Sequence, residues 1–158
     1  MVIPKTLVFH DCKQEASNAA IYNNNWLPVA MKNQGVIKHY HSNMSAKYLQ
    51  QTYDDFSSDA GTCRILHATA GASTGLDICG ICIVIQYGMC KNMAKMLHLT
   101  GLFLIMAEPW AFSTSLDEKP FDCMDPDKPY TGTVKKSSSK QEWTGCAVLH
   151  LIQSTTCL

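Results

Sequence analysis

The stretch that decides the fold, "ILHATAGASTGLDICGICIVIQYG", runs from Ile65 to Gly88 and places two apolar segments on either side of a small polar loop. The first segment belongs to Cys63 to Ala68 and the second is Ile81 to Tyr87. Both are rich in β-branched residues and nearly continuous in apolarity, which is typical of strands buried on both faces of a parallel sheet. The stretch therefore predicts a strand, a loop and a second buried strand.

The same alternation continues on both sides of this stretch. Further strands are predicted at Thr6 to His10, Val36 to Tyr40 and Leu102 to Met106. Helix-forming segments lie between them, at residues 13–24, 46–56 and 91–99. Strands that alternate with helices predict an α/β fold, a parallel sheet flanked by helices and joined by right-handed crossovers.

The pattern changes near Glu108. Residues 108–140 are rich in Pro, Ser, Asp and Lys, so we expect an extended connector there. Residues 141–153 then predict one amphipathic helix that uses Trp143, Ala147, Leu149 and Ile152. We therefore expect an α/β lobe over residues 1–107 and a separate connector region over residues 108–158.

Composition limits the classes of function. A chain of 158 residues with 46% hydrophobic content can bury one ordinary core. Its 13 basic and 13 acidic side chains cancel, so nucleic acid could be contacted only locally. The eight cysteines lack the regular spacing of a secreted disulfide framework, and the apolar runs are far shorter than the roughly 20 residues of a membrane span. We expect an intracellular protein with no membrane contact.

The loop "TAGASTGLD", Thr69 to Asp77, carries the chemistry of the opening stretch. Its glycines, among them Gly75, would let the backbone approach a phosphate, its hydroxyls could donate hydrogen bonds, and Asp77 could accept one from a ribose. Spacing alone is equally compatible with an ordinary connection between two strands.

These segments resemble a known family. "ILHATAGASTGLDICGICIVIQYG" is similar to motif V of the RecQ-like helicases, and "TLVFHDCK" resembles motif IV, with Lys13 in place of the usual arginine. "VIKHYHSNMSAKYLQQTYDDF" resembles the family segment of tyrosine, histidine, small residues and a helix. The resemblance covers about Lys5 to Cys157. It implies the second RecA-like lobe of an ATP-dependent DNA helicase that moves 3′ to 5′ in the nucleus.

The resemblance also implies roles for matching residues. Thr69 would touch the DNA backbone, and Gly75 and Asp77 would lie near the nucleotide. Lys13 and His41 would lie along the DNA path, although His41 is equally compatible with an ordinary surface histidine. ATP and Mg²⁺ are the implied cofactors, and DNA and a partner helicase lobe are the implied partners.

Departures from the family limit the expected activity. The sequence contains no GxxxxGK[ST] motif, and the helix-like segment that ends at Gly101 passes directly into a strand where the family has the arginines of motif VI. Arg64 is the only arginine. Because such arginines accelerate phosphoryl transfer by orders of magnitude, we expect poor ATP hydrolysis even beside a donated first lobe. A non-catalytic module that binds DNA or a helicase, or a degenerate fragment without function, are the alternatives.

Three cysteines invite a metal interpretation. Cys79 and Cys82 form a CxxC pair, but no second pair stands at zinc-site spacing. We expect Cys82 to be a small core residue and Cys79 to lie in the loop. By resemblance, Cys157 stands where a zinc-binding region begins in the family, and a single ligand forms no structural zinc site. Zinc is therefore not expected.

Overall fold

A computed structural model describes residues 3–69, 78–89, 102–116, 128–132, 134–139 and 141–154. Within these ranges the strands and helices alternate along the chain and build a five-stranded parallel sheet with flanking helices. The strands are β1 (Thr6–His10), β2 (Ile37–Tyr40), β3 (Ile65–Thr69), β4 (Ile83–Tyr87) and β5 (Leu102–Met106). The helices are α1 (Lys13–Trp26), α2 (Ala46–Ser57), α3 (Trp110–Ser113) and α4 (Cys146–Gln153).

The strand order is β2-β3-β1-β4-β5. The central strand β1 pairs in parallel with β3, with His10 opposite Thr69, and with β4 on its other side. β2 pairs with β3 in parallel, with His39 opposite His67. Because all these strands run the same way, the segments that follow them meet at one edge of the sheet, here called the carboxyl edge.

The predicted fold class is confirmed, and the strand boundaries differ mainly at the starts, although β3 also ends one residue later than predicted, at Thr69. β2, β3 and β4 begin one or two residues later than the sequence indicated. At β3 the reason is a turn in the backbone, since the amides of Arg64 and Ile65 both donate to the carbonyl of Val36. The helix predicted at residues 91–99 lies outside the described residues.

Two helices flank this sheet and begin at polar residues that cap them. The hydroxyl of Ser45 accepts a hydrogen bond from the amide of Tyr48 and caps the start of α2. Cys12 takes the same role for α1, with its sulfur accepting from the amide of Glu15. Phe56 of α2 is fully buried, so this helix anchors the lobe through one large aromatic side chain.

The prediction that Cys82 belongs to the core is wrong. Cys79 and Cys82 are both exposed, whereas Ile81 and Val84 are buried. Cys82 precedes the first residue of β4 and follows a turn in which Gly80 has a φ of 77°. Its thiol donates to the carbonyl of Gly80 instead of packing inward, so the turn decides the direction of the side chain.

The chain divides into two compact units, Met1–Tyr87 with Leu99–Ile105 and Gly88–His98 with Met106–Leu158. In the second unit α3 interrupts the predicted extended connector. It is held against α4, since the Gln153 side chain donates to the carbonyls of Ala111 and Thr114.

The last helix also starts later than predicted, at Cys146 instead of residue 141. Residues 144 to 146 are taken up by pairing with the segment before them: Gly145 bridges Pro129, and the Cys146 amide donates to the carbonyl of Lys128. Val148 and Leu149 bury the apolar side of the shortened helix. None of the described helices is long and apolar enough to cross a membrane.

Candidate nucleic-acid interface

The carboxyl edge collects three residues that the sequence associated with nucleic acid. Lys13 opens α1 just after β1, His41 directly follows β2, and Thr69 ends β3. Because β3 lies between β2 and β1, Thr69 stands between the ends of the strands that carry the other two. The fold thereby brings to one edge three residues that are separated in sequence by 28 or 56 positions.

Two side-chain contacts fix the geometry between α1 and the loop after β2. The ammonium of Lys13 donates to the amide oxygen of Asn43 at 2.8 Å, on the exposed surface. One turn further along α1, the hydroxyl of Ser17 lies 2.9 Å from Nε2 of His41. The loop that follows β2 is thus tied to the first turns of α1, and the Lys13 ammonium of α1 and the Asn43 amide of the loop lie together at the surface.

His41 is buried, with 5% of its surface exposed, so the alternative of a surface histidine is wrong. Burial and the nearby Lys13 ammonium lower the pKa of His41, which keeps the imidazole neutral near pH 7. Its Nδ1 atom is buried and has no hydrogen-bond partner in the part of the chain that the structure describes. The geometry suits a residue that positions the loop better than one that touches a ligand.

A second pair of histidines lies beneath this edge. Nε2 of His10 and Nδ1 of His67 are 2.9 Å apart, and Nε2 of His67 lies 3.2 Å from Nδ2 of Asn23 on α1. Both imidazoles are only 2% exposed. The two histidines are 57 residues apart in sequence, and the parallel pairing of β1 and β3 brings them together.

Some sequence-predicted site residues cannot be located. Gly75, Asp77 and Cys157 lie outside the described residues, so their predicted roles stay predictions. Among the residues that the structure describes, no three His, Cys, Asp or Glu side chains converge as metal ligands would. The carboxyl edge, as far as it is described, offers hydroxyl, amide and ammonium groups, with the exposed carboxylates of Asp11 and Glu15 on either side of Lys13.

Sequence reasoning missed Asn43 and Ser17 as members of the site. The signal was present in the segment "HSNMS", where a short polar side chain two residues beyond His41 faces the same edge as Lys13. Arg64, by contrast, lies before β3 at the opposite edge, where its Nε donates to the carbonyl of Ile3 at 3.3 Å. The single arginine of the chain is therefore committed away from the site.

Comparison with known proteins agrees with this architecture. A search of curated proteins found no match. Among solved structures, the chain is similar to "Mss116p DEAD-box helicase domain 2 bound to an RNA duplex", with a TM-score of 0.50 and 18% identity over 67% of this chain. The chain spans 43% of that structure's length. The family model "Helicase conserved C-terminal domain" matches residues 2–101, and the chain therefore belongs to the helicase C-terminal domain family.

Proposed function

We propose that this chain is the nucleic-acid-contacting second lobe of a RecQ-type DNA helicase, that it acts in the nucleus with 3′ to 5′ polarity, and that it does not hydrolyse ATP alone. The observation that carries the proposal is the convergence of Lys13, Asn43 and Thr69 at one exposed edge of a helicase-type sheet. A lysine, an amide and a hydroxyl are groups that bind phosphates without reading bases.

Charge along the sequence supports this role. No acidic residue occurs between Glu15 and Asp54, whereas Lys32 and Lys47 lie within that segment. Lys38 lies there too, but it is paired with Asp55. The chain is neutral as a whole, so this acid-free segment gives the lobe a local region without repulsion for phosphates. The loop after β2, which holds Asn43, belongs to it.

The DNA assignment and the RecQ type rest on three ordered sequence motifs that resemble that family. The proposal that the isolated chain does not hydrolyse ATP rests on the absence of a Walker A motif and on the position of Arg64. Arg64 donates to a backbone carbonyl at the amino edge. The described residues of the carboxyl edge include no arginine and no group of carboxylates fit for Mg²⁺. ATP and Mg²⁺ would therefore be held mainly by another lobe, and no chemical step is assigned to residues of this chain.

The test measures binding of the full chain to single-stranded DNA and to RNA of the same sequence at several salt concentrations. We expect Lys13→Glu to weaken binding about tenfold at low salt and to reduce the salt slope by about one, because one phosphate contact is lost. Thr69→Ala should weaken binding less, since it removes a neutral hydrogen bond. Lys136→Glu, an equal charge change at an exposed position of the second unit, is the matched control.

Three outcomes would contradict parts of the proposal. No binding at low salt would overturn the nucleic-acid role. Equal losses of affinity in Lys13→Glu and Lys136→Glu would mean that the binding site is not at the carboxyl edge. A clear preference for RNA would replace the DNA assignment with an RNA-directed one. DNA-stimulated ATP hydrolysis by the purified chain would overturn the view that it is inactive alone.

A further inference from the structure

Four of the six histidines lie in one row across the sheet, here called the histidine row: His10, His39, His41 and His67. His10 and His67 have ring centroids 5.2 Å apart, and His39 stacks on His41 at 5.5 Å with ring planes inclined by 12°. His39 and His67 are register partners on β2 and β3, so the two pairs are continuous. The row underlies α1, which contacts it through Ser17 and Asn23.

The placement of the Asn23 amide nitrogen assigns the protons of the central pair. The amide nitrogen of Asn23 donates to Nε2 of His67, so the proton of this imidazole is on Nδ1. Nδ1 of His67 then donates to Nε2 of His10, and the His10 proton is on Nδ1, which is buried and has no partner among the described residues. The chain from α1 to β3 to β1 exists in this form only while both imidazoles are neutral.

The groups around the histidine row provide little stabilisation for a positive charge on its imidazoles. Tyr87 of β4 and Tyr48 of α2 face the row as neutral rings, and the Lys13 ammonium of α1 opposes a charge on His41. Only Asp11 and Glu15 favour a proton, and they act on His10. Burial outweighs them and lowers the pKa of His10, and burial together with His10 and His39 lowers the pKa of His67 to about 4.

We propose that the histidine row is an acid-sensitive clamp that holds α1 on the sheet. Protonation of the row breaks the chain from Asn23 to His10, releases α1 and displaces Lys13 from Asn43. Acid therefore weakens nucleic-acid binding at the carboxyl edge, whereas histidines that only added positive charge there would strengthen it. The statement about binding rests on the proposed function, and the statement about α1 does not.

The clamp is tested on the full chain by amide hydrogen exchange, corrected for intrinsic exchange rates, at pH 7.0 and pH 5.5. The comparison is between the amides of α1 and those of α2 in the same molecule. We expect protection in α1 to fall about tenfold on acidification while α2 changes less than twofold. Equal changes in the two helices, or no change in α1, would overturn the clamp.

Asn23→Asp is the decisive variant. A carboxylate there would accept a proton from Nε2 of His67 and stabilise the charged imidazole, so α1 should keep its protection at pH 5.5. The matched control is Asn25→Asp, the same change two residues further along α1 at an exposed position. In this variant, α1 should lose protection at pH 5.5 as it does in the unmodified chain. If both variants open alike, the row is not the trigger.

Nitrogen-detected NMR of the imidazoles supplies a readout that survives if a variant is less stable. His67 should carry its proton on Nδ1 and remain neutral well below pH 6, and Asn23→Asp should move its titration to higher pH. The opposite tautomer, or titration near pH 6.5, would contradict the clamp. If the chain binds no nucleic acid at any pH while α1 still opens in acid, the proposed function fails and the clamp stands.

Discussion

The two edges of the sheet hold partly buried polar clusters, one built from charged groups and the other from neutral ones. At the amino edge, the carboxylate of Asp55 accepts from the Lys38 ammonium at 2.6 Å and from the amides of Thr62 and Cys63 at 2.7 and 3.2 Å. At the carboxyl edge, the histidine row has no ion pair among its described contacts and consists of neutral rings. One cluster depends on charges and the other on their absence.

The two clusters therefore respond to pH in different ranges. Although burial alone would raise the pKa of Asp55, the hydrogen bond and charge of Lys38 and the hydrogen bonds from Thr62 together lower it. Its contribution to stability is present above the unfolded value of 3.8 and is lost as pH falls through the lowered pKa. Depressed histidines bind fewer protons folded than unfolded, so their contribution is already lost as pH falls below 6.5. As pH falls, the cluster at the carboxyl edge therefore loses its contribution to stability before the cluster at the amino edge does.

The largest effect is expected from removing the charged cluster. Asp55→Ala leaves Lys38 without its counter-ion and the amide of Thr62 without its acceptor. Because both side chains of the ion pair are less than a quarter exposed, we expect the free energy of unfolding to fall by about 2 to 3 kcal/mol. Urea denaturation at pH 7 measures it.

The neighbouring Asp54 provides the control for this variant. It is exposed and accepts only from Gln50 one turn earlier in α2, so Asp54→Ala should change stability by less than about 0.5 kcal/mol. Similar losses in the two variants would mean that helix propensity, and not the amino-edge cluster, explains the effect.

The next effect is the pH dependence of the unmodified chain. With a folded pKa of about 4 and an unfolded value of 6.5, His67 alone should reduce the free energy of unfolding by about 2 kcal/mol between pH 7 and pH 5. His67→Leu should flatten that slope, whereas Asp55→Ala should leave it unchanged. A stability that is flat over this range would remove the distinction between the two edges.

A smaller effect concerns thiol reactivity. Cys63, beside the Asp55 cluster, is fully buried, and burial raises the pKa of its thiol to about 12. Cys82 is exposed at the start of β4. We expect iodoacetamide at pH 8 to label Cys82 long before Cys63, as measured by peptide mass spectrometry. Labelling of Cys63 in the folded chain at the rate of Cys82 would contradict the burial.

The smallest effect is expected at the CxxC pair. Since Cys79 and Cys82 are exposed and join no metal cluster among the described residues, the double change Cys79→Ser and Cys82→Ser should alter stability by less than about 0.5 kcal/mol. Added zinc should not raise the melting temperature of the unmodified chain. A stabilisation by zinc that the double variant loses would show that the pair is a ligand set after all.

The fold was predictable because its signals are local. Apolar runs such as Thr6 to His10 and the capping Ser45 specify strands and a helix start without reference to distant residues. Cys82 shows where this reasoning stops: an apolar neighbourhood predicted burial, but the positive φ of Gly80 turned the side chain outward. Composition does not reveal a turn of that kind.

The site was predictable only in part because its contacts join distant segments. Lys13 and Thr69 could be placed at the carboxyl edge because each follows a predicted strand of a parallel sheet. The contact between His10 and His67 depends on the register in which His10 lies opposite Thr69, and a shift of one residue would turn His67 to the other face. No spacing in the sequence encodes that register, so the histidine row became visible only in the structure.

The strand order also has a consequence for the way the chain acquires its fold. β1 and β2 come first in sequence but do not touch, because β3 lies between them and pairs with both. During synthesis, neither early strand has a neighbour until residues 65–69 have left the ribosome. We expect nascent chains that end at residue 60 to remain sensitive to protease and chains that extend past β4 to become resistant, with β3 acting as the link that starts assembly of the sheet.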